Sequence, residues 1–299
     1  MYIGLDIGTS GSKADLIDRN GNVLGSGHVS YGFSKTTGGY RELDAEAVWK
    51  AAIKCLYDAA AGKHVESITV SALGEAIVPI DREGNPVGPG IIGTDIRGIE
   101  ELKEIEEAFG AKTLTDITGL NMSTIYSANK ILWLKKHQPE IYKKAYKILT
   151  FQDYIIYRLC HKAVIDYSMA SRTLLFDINK NDWSDILLSW SGISREKLSC
   201  PVPAGDIAGE LDSSLAEELN FPESVKIVTG THDHVCNAIG SGVCESGSCS
   251  NTVGTTEGLT AVLERSALTT ESIENYQISC EPFAVKNLFN TVAWNNTSG

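Results

Sequence analysis

The chain has 299 residues, 42% hydrophobic and 21% charged, which excludes a disordered or fibrous protein and leaves enough apolar surface for a large core. Its formal net charge of −12 argues against a nucleic-acid partner, because a phosphate backbone is held by a basic face. No basic stretch followed by an apolar one opens the sequence, and no apolar run nears the roughly 20 residues of a membrane span, so neither secretion nor a membrane is expected.

Three strand patterns come first, at residues 2–8, 12–18 and 23–31, the last two joined by the turn sequence Asp18-Arg19-Asn20-Gly21-Asn22. Residues 44–61 read as a helix with Asp44 as N-cap and Ala47, Val48, Ala51, Ala52, Cys55 and Leu56 on one face. Strands are expected at 65–72 and 76–80. From about residue 86 to 224 helical patterns dominate, at 98–109, 123–137, 139–144, 152–159, 183–191 and 213–219. Strand signals resume at 225–229, a short helix covers 233–240, and strands are expected at 248–253, 259–264, 276–281 and 288–294. The outline is an α/β core with a mixed sheet, formed by residues 1–85 and 225–295 and interrupted by a largely helical insertion. The seven cysteines are scattered and never spaced Cys-x-x-Cys, which points to reduced cytoplasmic thiols rather than disulfides or a zinc site.

Three stretches carry chemistry. In Asp6-Ile7-Gly8-Thr9-Ser10-Gly11-Ser12-Lys13 an acidic residue ends a buried strand and a tight Gly and hydroxyl turn follows. Such a turn aims successive N–H groups into an anion-sized hollow, with Thr9, Ser10 and Ser12 as hydroxyl donors, Lys13 as a cation and Asp6 able to hold magnesium through water. The same residues also suit an ordinary hairpin turn. In Thr229-Gly230-Thr231-His232-Asp233-His234 a strand delivers Asp233 to a helix start, where it is either an N-cap or a general base for a substrate hydroxyl. Strand alternation predicts that His232, Asp233 and His234 do not converge on one metal ion. The third stretch, residues 251–258 with Gly254 and Thr255 at its bend, repeats the logic of the first.

Two such hairpins around a strand-end carboxylate are the phosphate clamp of actin-like ATPases, and the sequence resembles the FGGY family of carbohydrate kinases over essentially its whole length. Asp6-Ile7-Gly8-Thr9-Ser10 resembles the first phosphate motif, Gly230-Thr231-His232-Asp233 the segment with the catalytic aspartate, and Gly254-Thr255-Thr256 the second hairpin. Residues 130–134, 139–142, 153–159 and 166–177 are similar to the family's helical insertion.

The resemblance implies a ribonuclease H-like lobe of the actin-type ATPases and phosphoryl transfer from ATP, with Mg2+, to a sugar or polyol hydroxyl. Asp233 is then the base, Asp6 the metal residue, and Thr9, Ser10, Ser12, Lys13, Gly254 and Thr255 the phosphate contacts. Glu75 stands where glycerol kinases bind polyol hydroxyls, and Asp95-Ile96-Arg97 resembles a Trp-x-Asp-x-Arg segment in which Gly93 replaces the tryptophan. His234 stands where relatives carry Gln or Asn, so the expected substrate contacts are Glu75, Asp95, Arg97, Asp233 and His234. For Asp95 and Arg97 the alternative is a solvated pair in a loop. The resemblance also places the nucleotide-binding lobe beyond residue 299. It implies a sugar-binding lobe inactive by itself and open to self-association as a homodimer. The competing expectation is a non-catalytic sugar-binding or regulatory module of the same origin.

Overall fold

Alternation decides the opening strands. The computed structural model describes residues 1–296 apart from 37, 223, 254–255, 266–268 and 277. Strand β1 (Tyr2–Ile7) buries Ile3, Leu5 and Ile7, and β2 (Gly11–Ile17) buries Ser12, Ala14 and Leu16. The turn into β3 (Val23–Ser30) closes on the Asp18 carboxylate, which accepts from the Asn20 and Asn22 backbone N–H groups. Helix α1 (Ala45–Ala60) starts where expected, with the Asp44 side chain accepting from the N–H groups of Glu46 and Ala47. It lies so close to β3 that a Cβ at Gly25 or Gly27 would sit 2.2 or 2.3 Å from a helix carbonyl oxygen, of Ala59 and Cys55 respectively. The chain then returns as β4 (Ser67–Ala72), parallel to β1.

The middle of the chain supplies helices α2 (Ile99–Phe109), α3 (Ala111–Thr118), α4 (Ser127–His137), α5 (Pro139–Lys144), α6 (Phe151–Cys160), α7 (Tyr167–Ser171) and α8 (Asp185–Ser191). Strand β5 (Ile207–Glu210) and α9 (Ser213–Leu219) follow, then β6 (Lys226–His232) and α10 (Asp233–Gly240). The main sheet runs β5-β6-β4-β1-β2-β3, with β1, β4 and β6 mutually parallel and the rest antiparallel. It is the mixed sheet expected. Helices α1 and α6 cover one face of it, their side chains sharing a core with Ile3, Leu5, Ile68, Val70 and Ile227. A second core joins α4, α7 and α8 through Leu134, Met169, Phe176 and Leu187.

Several elements differ from expectation. Residues 207–219, placed by sequence in the insertion, extend the main sheet and its core through β5, Leu211 and Leu219. The last part of the chain forms its own antiparallel sheet, β7 (Cys249–Val253), β8 (Thr256–Glu264), β10 (Leu288–Asn296) and β9 (Glu281–Pro282) in that spatial order. The strand expected at 276–281 is instead the end of helix α11 (Thr270–Tyr276) followed by β9. The Thr269 hydroxyl accepts from the Ser272 N–H at the helix start and Ile273 is buried, so a cap and a core contact override the β-type residues behind them. Val235, Ala238, Val262 and Phe283 pack α10 against this second sheet.

Candidate functional site

The parallel strands end level with one another: Ile7 pairs with Ala72, and Ala72 with His232. Beyond these carboxyl ends lie the turn 8–10, the Gly74-Glu75 bend and Asp233, the place where open α/β sheets hold ligands. A cleft of about 630 Å³ runs from this edge along the sheet face left uncovered by α1 and α6. Asp6, Lys13, Ser71, Asp233, His234 and Thr252 line it.

Strand geometry sorts the first motif. The turn closes with the Gly8 N–H donating to the Gly11 carbonyl at 2.9 Å and leaves Thr9 and Ser10 exposed. Asp6 and Lys13 are register partners on the cleft face. Burial raises the Asp6 carboxyl, while the Ser71 hydroxyl, donating at 3.1 Å, and Lys13 oppose the rise. Ser12 does not join them. The two-residue period of β2 turns it to the other face, fully buried, with its hydroxyl 3.1 Å from the Tyr31 hydroxyl. Gly254 and Thr255 lie outside the described residues.

Asp233 opens α10, and its carboxyl is pushed up to about 6, first by burial and next by the charge of Asp6. Its Oδ1 lies 3.2 Å from His232 Nε2 and 3.7 Å from His234 Nε2, with the two rings 5.2 Å apart. The three side chains come near one another because the strand gives way to helix at Asp233, where alternation no longer applies, but among the described residues no three His, Cys, Asp or Glu form a group that could hold a metal ion. Burial and then Arg172 hold both imidazoles below their usual range, His232 well below it. Neutral rings beside the carboxylate leave its charge available for a proton.

Glu75 adopts a left-handed backbone conformation, φ 62°, that a residue with a side chain takes only when held there. The hold is Arg172, which donates from Nε and Nη2 to Glu75 Oε1 and from Nη1 to Glu281 Oε1, the latter at 2.7 Å. Burial raises the Glu75 carboxyl; Arg172 opposes the rise, and Glu281 and Asp233 add to it. Sequence reasoning missed Arg172 and Glu281. Arg172 lay in the 166–177 stretch noted for its likeness to the insertion, and Glu281, alone between Cys280 and Pro282, carried no pattern.

Asp95 and Arg97 are brought together but away from the cleft. Both side chains are buried, joined by two hydrogen bonds of 2.7 and 2.8 Å, and the guanidinium packs against the rings of Tyr40 and Trp133, which meet edge to face. Arg97 Nη1 also donates to Glu42 at 2.8 Å. The alternative of a solvated loop pair is therefore wrong, and neither residue lines the cleft.

The profile described as "FGGY family of carbohydrate kinases, N-terminal domain" matches residues 1–240, including β1, β2, β6 and Asp233. The chain belongs to the FGGY family of carbohydrate kinases. It is 29% identical over 269 residues to the xylulose kinase of Staphylococcus xylosus, covering 88% of this chain and 55% of that one. It is 30% identical over 298 residues to the glycerol kinase of Thermococcus gammatolerans, covering 90% and 60%. The FGGY chain thus spans little more than half the length of these curated relatives.

Among solved structures, xylulose kinase from Rhodospirillum rubrum superposes with a TM-score of 0.90 at 20% identity, covering 98% of this chain and 60% of that one. Plasmodium falciparum glycerol kinase with ADP gives 0.84 at 20%, covering 99% and 61%. The fold is that of these actin-like kinases, with the ribonuclease H-like sheet in the part that this FGGY chain spans.

Proposed function

We propose that this chain is the acceptor-binding lobe of an ATP-dependent kinase that phosphorylates a sugar or polyol hydroxyl. The observation that carries the reading is Asp233. It is a carboxylate at the end of a parallel strand, facing a cleft it shares with Asp6 and Lys13, with its pKa raised to about 6. A base of that strength is ionised at neutral pH yet basic enough to accept the proton of an acceptor hydroxyl as its oxygen attacks the γ-phosphorus and ADP leaves.

Lys13 and the turn bearing Thr9 and Ser10 meet the phosphates of ATP, and Glu75 orients the acceptor. The cleft suits a magnesium ion, because Asp6 and Asp233 repel each other there and magnesium takes one or two carboxylates with waters and phosphate oxygens. When bound, such an ion neutralises phosphate charge; Asp6 would hold it. The relatives extend well beyond this chain, and in-line transfer needs nucleotide and hydroxyl fixed together, so acceptor binding resides here and turnover needs the remaining length.

The test has two readings. Calorimetry with D-xylulose, glycerol and gluconate should show acceptor binding to this chain, unchanged within about threefold in Asp233→Asn. In a protein continued to its relatives' length, acceptor-dependent ADP release should fall by ~10²–10⁴-fold in that variant. Turnover near the unsubstituted rate would reduce Asp233 to a helix cap. Binding without turnover in the longer protein would favour a non-catalytic module.

A further inference from the structure

A second cavity, of about 400 Å³, lies between the start of α7 and the turn that joins β9 to β10. It shares no lining residue with the cleft that holds Asp233. Its wall is mainly apolar: Tyr167, Phe283 and Phe289 bring rings, and Pro203, Pro282 and Leu288 bring aliphatic surface. Asn181, Lys286 and Asn287 also line it, and among the described residues none of these three side chains has a hydrogen-bond or ion-pair partner. The Tyr167 hydroxyl is equally unengaged, and burial and then Asp206 push it up, so at neutral pH it keeps its proton and can donate. Asp166, the carboxylate among the described lining residues, is already engaged: its oxygens accept from the N–H groups of Ser168 and Met169 at 2.9 and 3.3 Å. An apolar hollow of roughly 300–1,000 Å³ with a few convergent polar groups is the usual form of a small-molecule site.

We infer that this cavity is a second ligand site and takes a small aromatic acid, its ring against Tyr167, Phe283 and Phe289 and its carboxylate toward Lys286, Asn181 and Asn287. The site stands apart from the kinase reading. A sugar or polyol lacks the apolar body that this wall would cover, and a cationic aromatic would meet Lys286. An acid supplies acceptors to an ammonium group that can only donate. The place of the cavity gives its occupant leverage. Tyr167 precedes Ser168, whose hydroxyl accepts from the His232 N–H at 3.1 Å, next to Asp233. Pro282 follows Glu281, which holds Arg172. A ligand bridging Tyr167 and the 283–288 turn thus ties together the two segments that place these groups, which makes the cavity an effector site by linkage.

Fluorine NMR on this chain decides, with 4-fluorobenzoate, 4-fluorobenzamide and 4-fluorobenzylamine as anionic, neutral and cationic probes of similar size. The acid should bind saturably, with a dissociation constant below about 10 mM for a ligand of about ten heavy atoms, and about tenfold more tightly than the amine. Lys286→Gln, at an exposed position, should bring acid and amide within about threefold of each other. Ala284→Trp, which fills the hollow, should abolish binding of all three. The turn is closed by the Phe283 N–H on Leu288 and the Leu288 N–H on Val285, at 3.0 and 3.1 Å. Hydrogen exchange at these two amides should slow about tenfold with the acid at about ten times its dissociation constant. No saturable binding of the acid overturns the inference, and equal binding of the three probes overturns the assigned chemistry. Acid binding unaltered in both variants, or unchanged exchange at the two amides, puts the ligand elsewhere and overturns the site. Should the tryptophan variant not fold, Lys286→Gln and the exchange rates decide. None of these outcomes bears on the role of Asp233.

Discussion

Arg97→Met separates a structural from a ligand-binding role for the Asp95–Arg97 pair. The Asp95 carboxylate is wholly buried and receives four hydrogen bonds: from Arg97 Nε and Nη2, the Arg97 N–H and the Arg41 N–H at 2.5 Å. Burial by itself would raise its pKa, and these bonds overcome that and hold it below the usual carboxylate range. Methionine keeps the bulk against Tyr40 and Trp133 but removes the charge, leaving a buried carboxylate with two backbone donors.

Breaking a buried pair from one side costs about 3–5 kcal/mol. With ~2–4 °C per kcal/mol for a large domain, the melting temperature should drop by roughly 6–20 °C. The double variant Asp95→Asn with Arg97→Met removes both charges while an amide oxygen still accepts a backbone N–H, so it should recover at least half the loss. Thermal denaturation followed by circular dichroism measures both. A single variant that melts within about 2 °C of the unsubstituted protein yet loses acceptor binding would refute the reasoning. The pair would then belong to the acceptor site.

Three further outcomes follow from the same geometry. Turnover of the longer protein should fall about tenfold per pH unit below about 6, where Asp233 takes up a proton; a profile flat to pH 5 would exclude it as the base. Asp153, buried and accepting from Thr150 and Ser199 hydroxyls, is raised by that burial from 3.8 to about 6. Its contribution to stability is therefore complete below the unfolded value and lost as pH rises through about 6. That amounts to at most about 3 kcal/mol, and Asp153→Asn should flatten the change in melting temperature between pH 4.5 and 7.5. Ser12→Ala should cost about 1 kcal/mol of stability through Tyr31 and leave the ATP dependence of turnover alone, whereas Lys13→Ala should do the reverse; melting curves and ATP titrations distinguish them.

What could be read from sequence was whatever a local pattern encodes. The opening strands and α1 follow from alternation and the Asp44 cap, and Asp6 and Asp233 were visible because each ends an apolar run before a turn or helix. Ser12 was misplaced for want of applying the two-residue period already evident in Lys13 and Ala14. Helix α3 escaped because it is short, although Gly119 at φ 72° just past its end marks its stop. Strand β5 was missed because Ile-Ala-Gly-Glu shows no alternation and its pairing with β6 shifts register. Arg172 meeting Glu281 lies beyond any window, since the partners are 109 residues apart and nothing local announces either.

The parallel seam between β4 and β6 sets the order in which the molecule can assemble. It pairs Ser67 with Lys226, so during synthesis β4 waits, its backbone groups open on one side, until the helical middle of the chain and then β6 have emerged. Contacts so distant in sequence are slow to close, and an unpaired strand carrying Ile68 and Val70 is a template for association with other nascent chains. A chaperone that covers exposed strands until β6 has emerged should therefore raise the yield of folded protein.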